Sequence, residues 1–220
     1  MNLDSLKAEF TRDGCVVIRN FLDSSELREL DAHTEAYLER GDHRERFAKS
    51  EVFPGTLKNL NVDDEWFDQL LRDGRPAKVV SHLIDDELDP ATAAFFDRLP
   101  GERSGIAPHF DAIGHRRFGA TLWIALDDTR KENGCLHYVR GSHRQRYESK
   151  VGLEGFDEST EGTFAVELNP GDAAVHSSLT IHWSKPNQTQ QSRRGVSFFY
   201  WAASSKGEKV DKKEWVRLKK

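Results

Sequence analysis

Cysteine is scarce in this chain. The two present, Cys15 and Cys135, lie far apart and form no CxxC pair. That excludes a disulfide framework and suits a reducing compartment. Long apolar runs are also missing. No stretch approaches the ~18 apolar residues that a membrane span requires, and the opening MNLDSLKAEFTRDG lacks the apolar centre of a secretory leader. A cytoplasmic protein with no membrane association is therefore expected. Nor is there an excess of basic charge: 32 Lys and Arg against 37 Asp and Glu leave a net −5. This argues against a general nucleic-acid binder, which usually shows a basic face. Internal repeats and low-complexity linkers are lacking as well.

What is present is a wet-surfaced globular sequence. Hydrophobic residues make up 37%, charged residues 31% and aromatics 10% of 220 positions. Enough apolar clusters recur to build a core without staples, and the length suits one domain over 1–220. Leu3, Leu6 and Phe10 fall at helical spacing in residues 3–11, and Gly14 stops that helix. Residues 15–19 (CVVIR) read as a short β-branched strand. Asp23 or Ser24 offers an N-cap, with Glu26 close behind, for a long amphipathic helix over 25–40. Residues 41–61 read as a surface loop that folds over something. Residues 63–88 read as helical, on Trp66, Phe67, Leu70, Leu71, Val79, Val80 and Leu83.

From about Thr92 the pattern changes to short strands separated by Gly, Asn, Asp and Pro. The candidates are 92–98, 106–110, 117–126, 135–139, 163–167, 173–176, 180–183 and 194–202. Eight such strands predict an antiparallel jelly roll or sandwich. The division expected is a mostly helical support over 1–90, a β core over 91–203 and a tail over 204–220. The last 15 residues carry seven basic and three acidic side chains and read as a solvated tail tethered by Trp215.

His109-Phe110-Asp111 is the first chemical signal. Nine histidines and 19 aspartates in 220 residues make roughly one HxD triplet expected by chance, so the triplet alone decides nothing. Its geometry is sensible, because residues i and i+2 of a strand share a face. His182, in another strand-like run, is the candidate third ligand. Two histidines and a carboxylate form the facial triad of non-haem Fe(II) oxygenases, which leaves three coordination positions open. Zinc hydrolases use similar sets, so a metal-dependent hydrolase or isomerase, or a non-catalytic ligand-binding protein on the same barrel, stays open at this point.

The surroundings of these residues form an ordered series. Residues 121–143 read TLWIALDDTRKENGCLHYVRGSH, residues 169–176 read NPGDAAVH, and residues 182–194 read HWSKPNQTQQSRR. Together with the opening RDGCVVIRNFLDSSELRELD, the series resembles the phytanoyl-CoA dioxygenase family of Fe(II)/2-oxoglutarate oxygenases. The resemblance covers residues 1–46 and 92–202. It implies a double-stranded β-helix, a cupin-like jelly-roll barrel, with supporting N-terminal helices. It implies Fe(II) held by His109, Asp111 and His182. It also implies 2-oxoglutarate as co-substrate with O2, and oxidation of an unactivated C–H bond of a small molecule while 2-oxoglutarate becomes succinate and CO2. Arg193, eleven residues after His182, matches the arginine that pairs with the distal carboxylate of 2-oxoglutarate, and Ser184 matches a hydroxyl on the same carboxylate. Arg194 would face the other side of its strand. Thr121 could point inward and touch 2-oxoglutarate. Asp111 stands where halogenating relatives have Ala or Gly, so hydroxylation is expected rather than halogenation.

The chain departs from the family pattern at Phe110, where Gln is frequent, and at Arg98-Leu99-Pro100-Gly101, where Lys-Pro-Pro is frequent. Both departures bear on the substrate. No segment is evident for a bulky CoA group. Lys58, Asn59, Arg98 and Arg116 are the expected substrate contacts, and the loops around 43–61 and 99–106 are candidate lids. His176 reads as structural, lining the cavity or packing beneath it. His143 reads as a turn residue, His115-Arg116-Arg117 as a solvated charge run, Trp123 as core, and Cys135 as a small buried hydrophobe. A monomer or homodimer acting on a small molecule is expected.

Overall fold

The computed structural model describes residues 1–43, 55–101, 105–113, 118–145, 147 and 151–205. Residues 44–54 and 102–104 of the candidate lids around 43–61 and 99–106, the 115–117 charge run with Arg116, and residues 206–220 of the tail with Trp215 lie outside the described residues.

Helix α1 (Leu3–Asp13) is capped by the Asn2 side chain, which accepts from the Ser5 N–H, and Gly14 ends it in the left-handed conformation. Strand β1 (Cys15–Ile18) follows. Asp23 then caps α2 (Ser24–Leu38) through a capping box with Glu26, satisfying two orphan N–H groups at once.

The reading of residues 41–61 as a surface loop is corrected over residues 56–61. Thr56–Lys58 form a strand, β2, that pairs with Phe96, Phe95 and Ala94. Three residues give too short an alternation to signal a strand, and the pairing is entirely long-range. The single helical stretch over 63–88 is corrected to three pieces, α3 (Leu60–Asp63), α4 (Glu65–Asp73) and α5 (Arg75–Ile84). Asp64 breaks the run because its backbone is extended and its side chain caps α4 by accepting from the Phe67 N–H. Pro76 in the first turn of α5 suits a helix start, where no intrahelical donor is lost.

Eight further strands follow: β3 (Leu88–Arg98), β4 (Ile106–His109), β5 (Gly119–Ala125), β6 (Leu136–Val139), β7 (Thr163–Val166), β8 (Ala173–Ser177), β9 (His182–Ser184) and β10 (Arg193–Ala202). Strand β3 begins four residues before the expected Thr92. Pro90 hid its start, and it is tolerated because the β3–β10 register shifts there, between Phe199 and Tyr200. Thr180 lies outside β9; its hydroxyl instead donates to the Gly14 carbonyl.

The strands form two antiparallel sheets, ordered β1-β8-β5-β10-β3-β2 and β4-β9-β6-β7. This is the jelly-roll barrel with helices on one side. Alternation along each strand divides the larger sheet into two faces. The outer face carries Leu122, Ile124, Val175, Val196, Phe198 and Tyr200, all buried against the helices together with Phe10, Leu30, Phe67 and Val80. Each such large side chain taken from water contributes roughly 1.5–3 kcal/mol. The inner face carries Thr121, Trp123, His176, Arg193, Ser197 and Phe199, and these line the cavity between the sheets. No helix among the described residues is long and apolar enough to cross a membrane.

Candidate metal centre and co-substrate pocket

His109 ends β4 and His182 begins β9, and the two are directly paired across that ladder. Asp111 lies two residues beyond His109, in the turn that follows β4. Ligand atoms from the three lie within 4.8 Å of one another. Both imidazoles are oriented the same way. His109 Nδ1 is 2.8 Å from the Ala107 carbonyl, and His182 Nδ1 is 3.0 Å from the Thr180 carbonyl. A carbonyl only accepts, so each Nδ1 carries the proton and each Nε2 keeps its lone pair. Burial holds both imidazoles below their ordinary range, His182 well below it with His109 and His176 adding to the effect. Burial alone would raise the Asp111 carboxyl. The imidazoles of His182, His176 and His109 outweigh it and hold the group well below the usual carboxylate range. The donor set is therefore two neutral imidazoles and one carboxylate, which fits a divalent iron of the facial-triad type.

Around the triad stands a second ring of contacts that the sequence reading did not assign. Thr121 Oγ1 donates to Asp111 Oδ2 at 2.6 Å. His176 Nε2 lies 3.0 Å from the same oxygen, and the Tyr138 hydroxyl 2.9 Å from His176 Nδ1. His176 thus lines the cavity and touches a candidate ligand. Lining the cavity is one of the two places the sequence allows for His176; the contact with Asp111 is not foreseen there.

Arg193 starts β10 and points into the cavity, 2% exposed. Its Nη2 donates to the Gly134 carbonyl at 2.9 Å, and its guanidinium carbon sits 5.3 Å from the Trp123 ring centre. Gly134 is the glycine of the Glu-Asn-Gly run. Its φ of 78° and its approach to Lys185, whose carbonyl an added Cβ would meet at 2.3 Å, admit no side chain. Ser184 lines the same cavity, and its hydroxyl accepts from the Ile106 N–H at 3.3 Å. Asn187, three residues on, donates to the carbonyls of Arg98 and Gln191 and so ties the end of β3 to the loop that leads into Arg193. Arg194 faces the opposite way, onto Asp127, Asp31 and Glu35.

The cavity holds about 420 Å³, within the ordinary range for small-molecule sites. Phe96, Ile106, Trp183 and Phe199 supply apolar wall, and Lys58 and Arg98 line it as well. Asn59 is not among the lining residues; its side chain accepts from the hydroxyl of Thr92, which does line the cavity. Trp123 is buried in a core cluster with Ala125 and Tyr138, and its ring also lines the cavity over Gly195, where an added Cβ would lie 2.0 Å away. His143 sits on the short turn Ser142–Arg144, with its ring against Gly14. Cys15 and Cys135 are buried free thiols, pushed by burial up to about 12 and about 11.

Comparison with known proteins places the sequence. The sequence model of the family described as phytanoyl-CoA dioxygenase (PhyH) matches residues 10–195. The dioxygenase olcK of Penicillium canescens is 26% identical over 219 residues, covering 89% of this chain and 69% of its own. The methylphosphonate hydroxylase of Gimesia maris is 28% identical over 209 residues, covering 90% of this chain and 80% of its own. Among solved structures, the non-heme alpha ketoglutarate dependent epimerase SnoN from nogalamycin biosynthesis superposes with a TM-score of 0.78 at 23% identity, over 96% of this chain and 86% of its own. At that identity the likeness is one of fold.

Proposed function

The chain belongs to the phytanoyl-CoA dioxygenase family, and on that premise we propose that it is an Fe(II)- and 2-oxoglutarate-dependent oxygenase acting on a small organic molecule. The observation that carries the reading is the convergence of His109, Asp111 and His182 to within 4.8 Å at one end of a cavity that also holds Arg193 and Ser184.

His109, Asp111 and His182 would hold the iron, each histidine through Nε2. Iron bound there supplies the oxidising chemistry, consuming O2 and converting 2-oxoglutarate to succinate and CO2. Arg193 binds the distal carboxylate of 2-oxoglutarate, because a planar guanidinium can donate two parallel charge-assisted hydrogen bonds. The Gly134 carbonyl and the Trp123 ring hold that guanidinium in place. Ser184 offers its hydroxyl to the same carboxylate. The apolar walls exclude water, which strengthens these ionic contacts and protects reactive species. Lys58 and Arg98 are the proposed contacts for the primary substrate. A carboxylate at position 111 occupies the place a halide would need, so hydroxylation or a related oxidation is proposed over halogenation. A cytoplasmic setting and a monomer or homodimer complete the proposal.

The test is turnover with candidate substrates, reading both succinate and product mass. Substrate-stimulated succinate release with gain of one oxygen atom in the product supports hydroxylation. Loss of two hydrogen atoms assigns desaturation or ring formation, and unchanged mass assigns epimerisation. Iron-dependent turnover of some substrate without succinate overturns the reading.

A further inference from the structure

We propose that Thr121, His176 and Tyr138 form a positioning relay that fixes which oxygen of Asp111 is offered to the metal. Thr121 on β5 and His176 on β8 are direct cross-strand partners on the inner face of the larger sheet. Their side chains converge on one atom, Asp111 Oδ2, at 2.6 and 3.0 Å. Tyr138 reaches His176 from β6 of the other sheet, at 2.9 Å. The relay therefore spans both walls of the barrel.

The direction of each bond follows from the acceptor. A carboxylate only accepts, so His176 donates from Nε2. In the neutral ring Nδ1 then accepts, and the Tyr138 hydroxyl donates to it. Tyr138 thus sets the tautomer of His176, and His176 with Thr121 occupies Oδ2 with two donors. The other oxygen, Oδ1, is the one that lies 3.6 Å from His182 Nε2.

This matters for the number of open positions. A facial triad leaves three. Chelation by both Asp111 oxygens would take one of them, and it would have to displace both donors from Oδ2. Keeping Asp111 as a single donor leaves room for 2-oxoglutarate and O2 together. That consequence rests on the proposed oxygenase function; the relay itself rests only on the metal site.

Cobalt(II) titration of the metal-free protein tests the relay, reading affinity and the visible cobalt spectrum, whose shape and intensity report coordination number. Thr121→Val should weaken Co(II) binding about 10- to 100-fold, the usual effect of losing an outer contact to a ligand, and should change the spectrum. Thr121→Ser, which restores the donor, should recover both. Tyr138→Phe should shift affinity several-fold in the same direction. Wild-type affinity and spectrum in folded Thr121→Val and Tyr138→Phe would overturn the proposal. If Thr121→Val does not fold, Tyr138→Phe decides alone, since it lacks a single hydroxyl. Failure of the oxygenase reading looks different: the wild type binds cobalt, and 2-oxoglutarate leaves the spectrum unchanged.

Discussion

Arg193 and Arg194 are neighbours in sequence with opposite surroundings. Arg193 is buried in the cavity against Trp123 and the Gly134 carbonyl, while Arg194 binds Asp127 in the bend after β5 and Asp31 and Glu35 on α2. The alternation of a strand separates them. One arginine lines the cavity, and the other clamps a helix to the barrel.

The two should therefore separate in mutagenesis. Arg193→Ala should weaken 2-oxoglutarate binding about 10- to 100-fold, the value of charge-assisted hydrogen bonds, with little change in melting temperature. Arg193→Lys should recover only part of this, because an ammonium cannot reproduce the fork. Arg194→Ala should lower stability by about 1–3 kcal/mol, since it strands part of an acidic cluster, and should leave 2-oxoglutarate affinity within a few-fold. Calorimetric titration and thermal melts read both effects.

Gly195 separates packing from chemistry. An alanine there would press its Cβ into the Trp123 ring, which shares the cavity wall with Arg193. Gly195→Ala should displace the indole, raise the KM for 2-oxoglutarate and change tryptophan fluorescence, while metal affinity stays near wild type. Equal losses of metal and 2-oxoglutarate binding would contradict this division.

Asp172, the aspartate of the Pro-Gly-Asp run, ties β8 to the start of the chain. It accepts from Arg19, from the Asn20 N–H and from the Asn169 N–H at 2.7, 2.8 and 2.9 Å. Burial pushes its carboxyl up, but these donors outweigh it and the group titrates below its ordinary range. A depressed folded value stabilises the protein above the unfolded carboxylate value of about 3.9 and loses that contribution as pH falls through the folded value. Asp172→Asn should cost about 1–3 kcal/mol at neutral pH, and the gap from wild type should narrow between about pH 5 and about pH 2 in denaturant melts.

Much of the barrel was legible because its signals are local. The alternation along 119–125 and 193–202 places Thr121 and Arg193 on the inner face, and the caps at Gly14 and Asp23 fix two helix boundaries. The ordered motifs were legible too, though their physical roles were not. Asp172 and Asn187 serve as hydrogen-bond anchors that hold strand ends in place. What escaped was long-range. Strand β2 exists only through its pairing with β3, and Asn59 stands one residue back from the cavity, with its side chain on the lining Thr92. The contact of Tyr138 with His176 joins two sheets and has no sequence signature.

The most direct measurement is the visible spectrum of the metal-free protein mixed anaerobically with Fe(II) and 2-oxoglutarate. The account predicts a weak charge-transfer band that needs both components, is lost in Asp111→Ala and weakens in Arg193→Ala. A folded, iron-loaded wild type that shows no band with 2-oxoglutarate would contradict it.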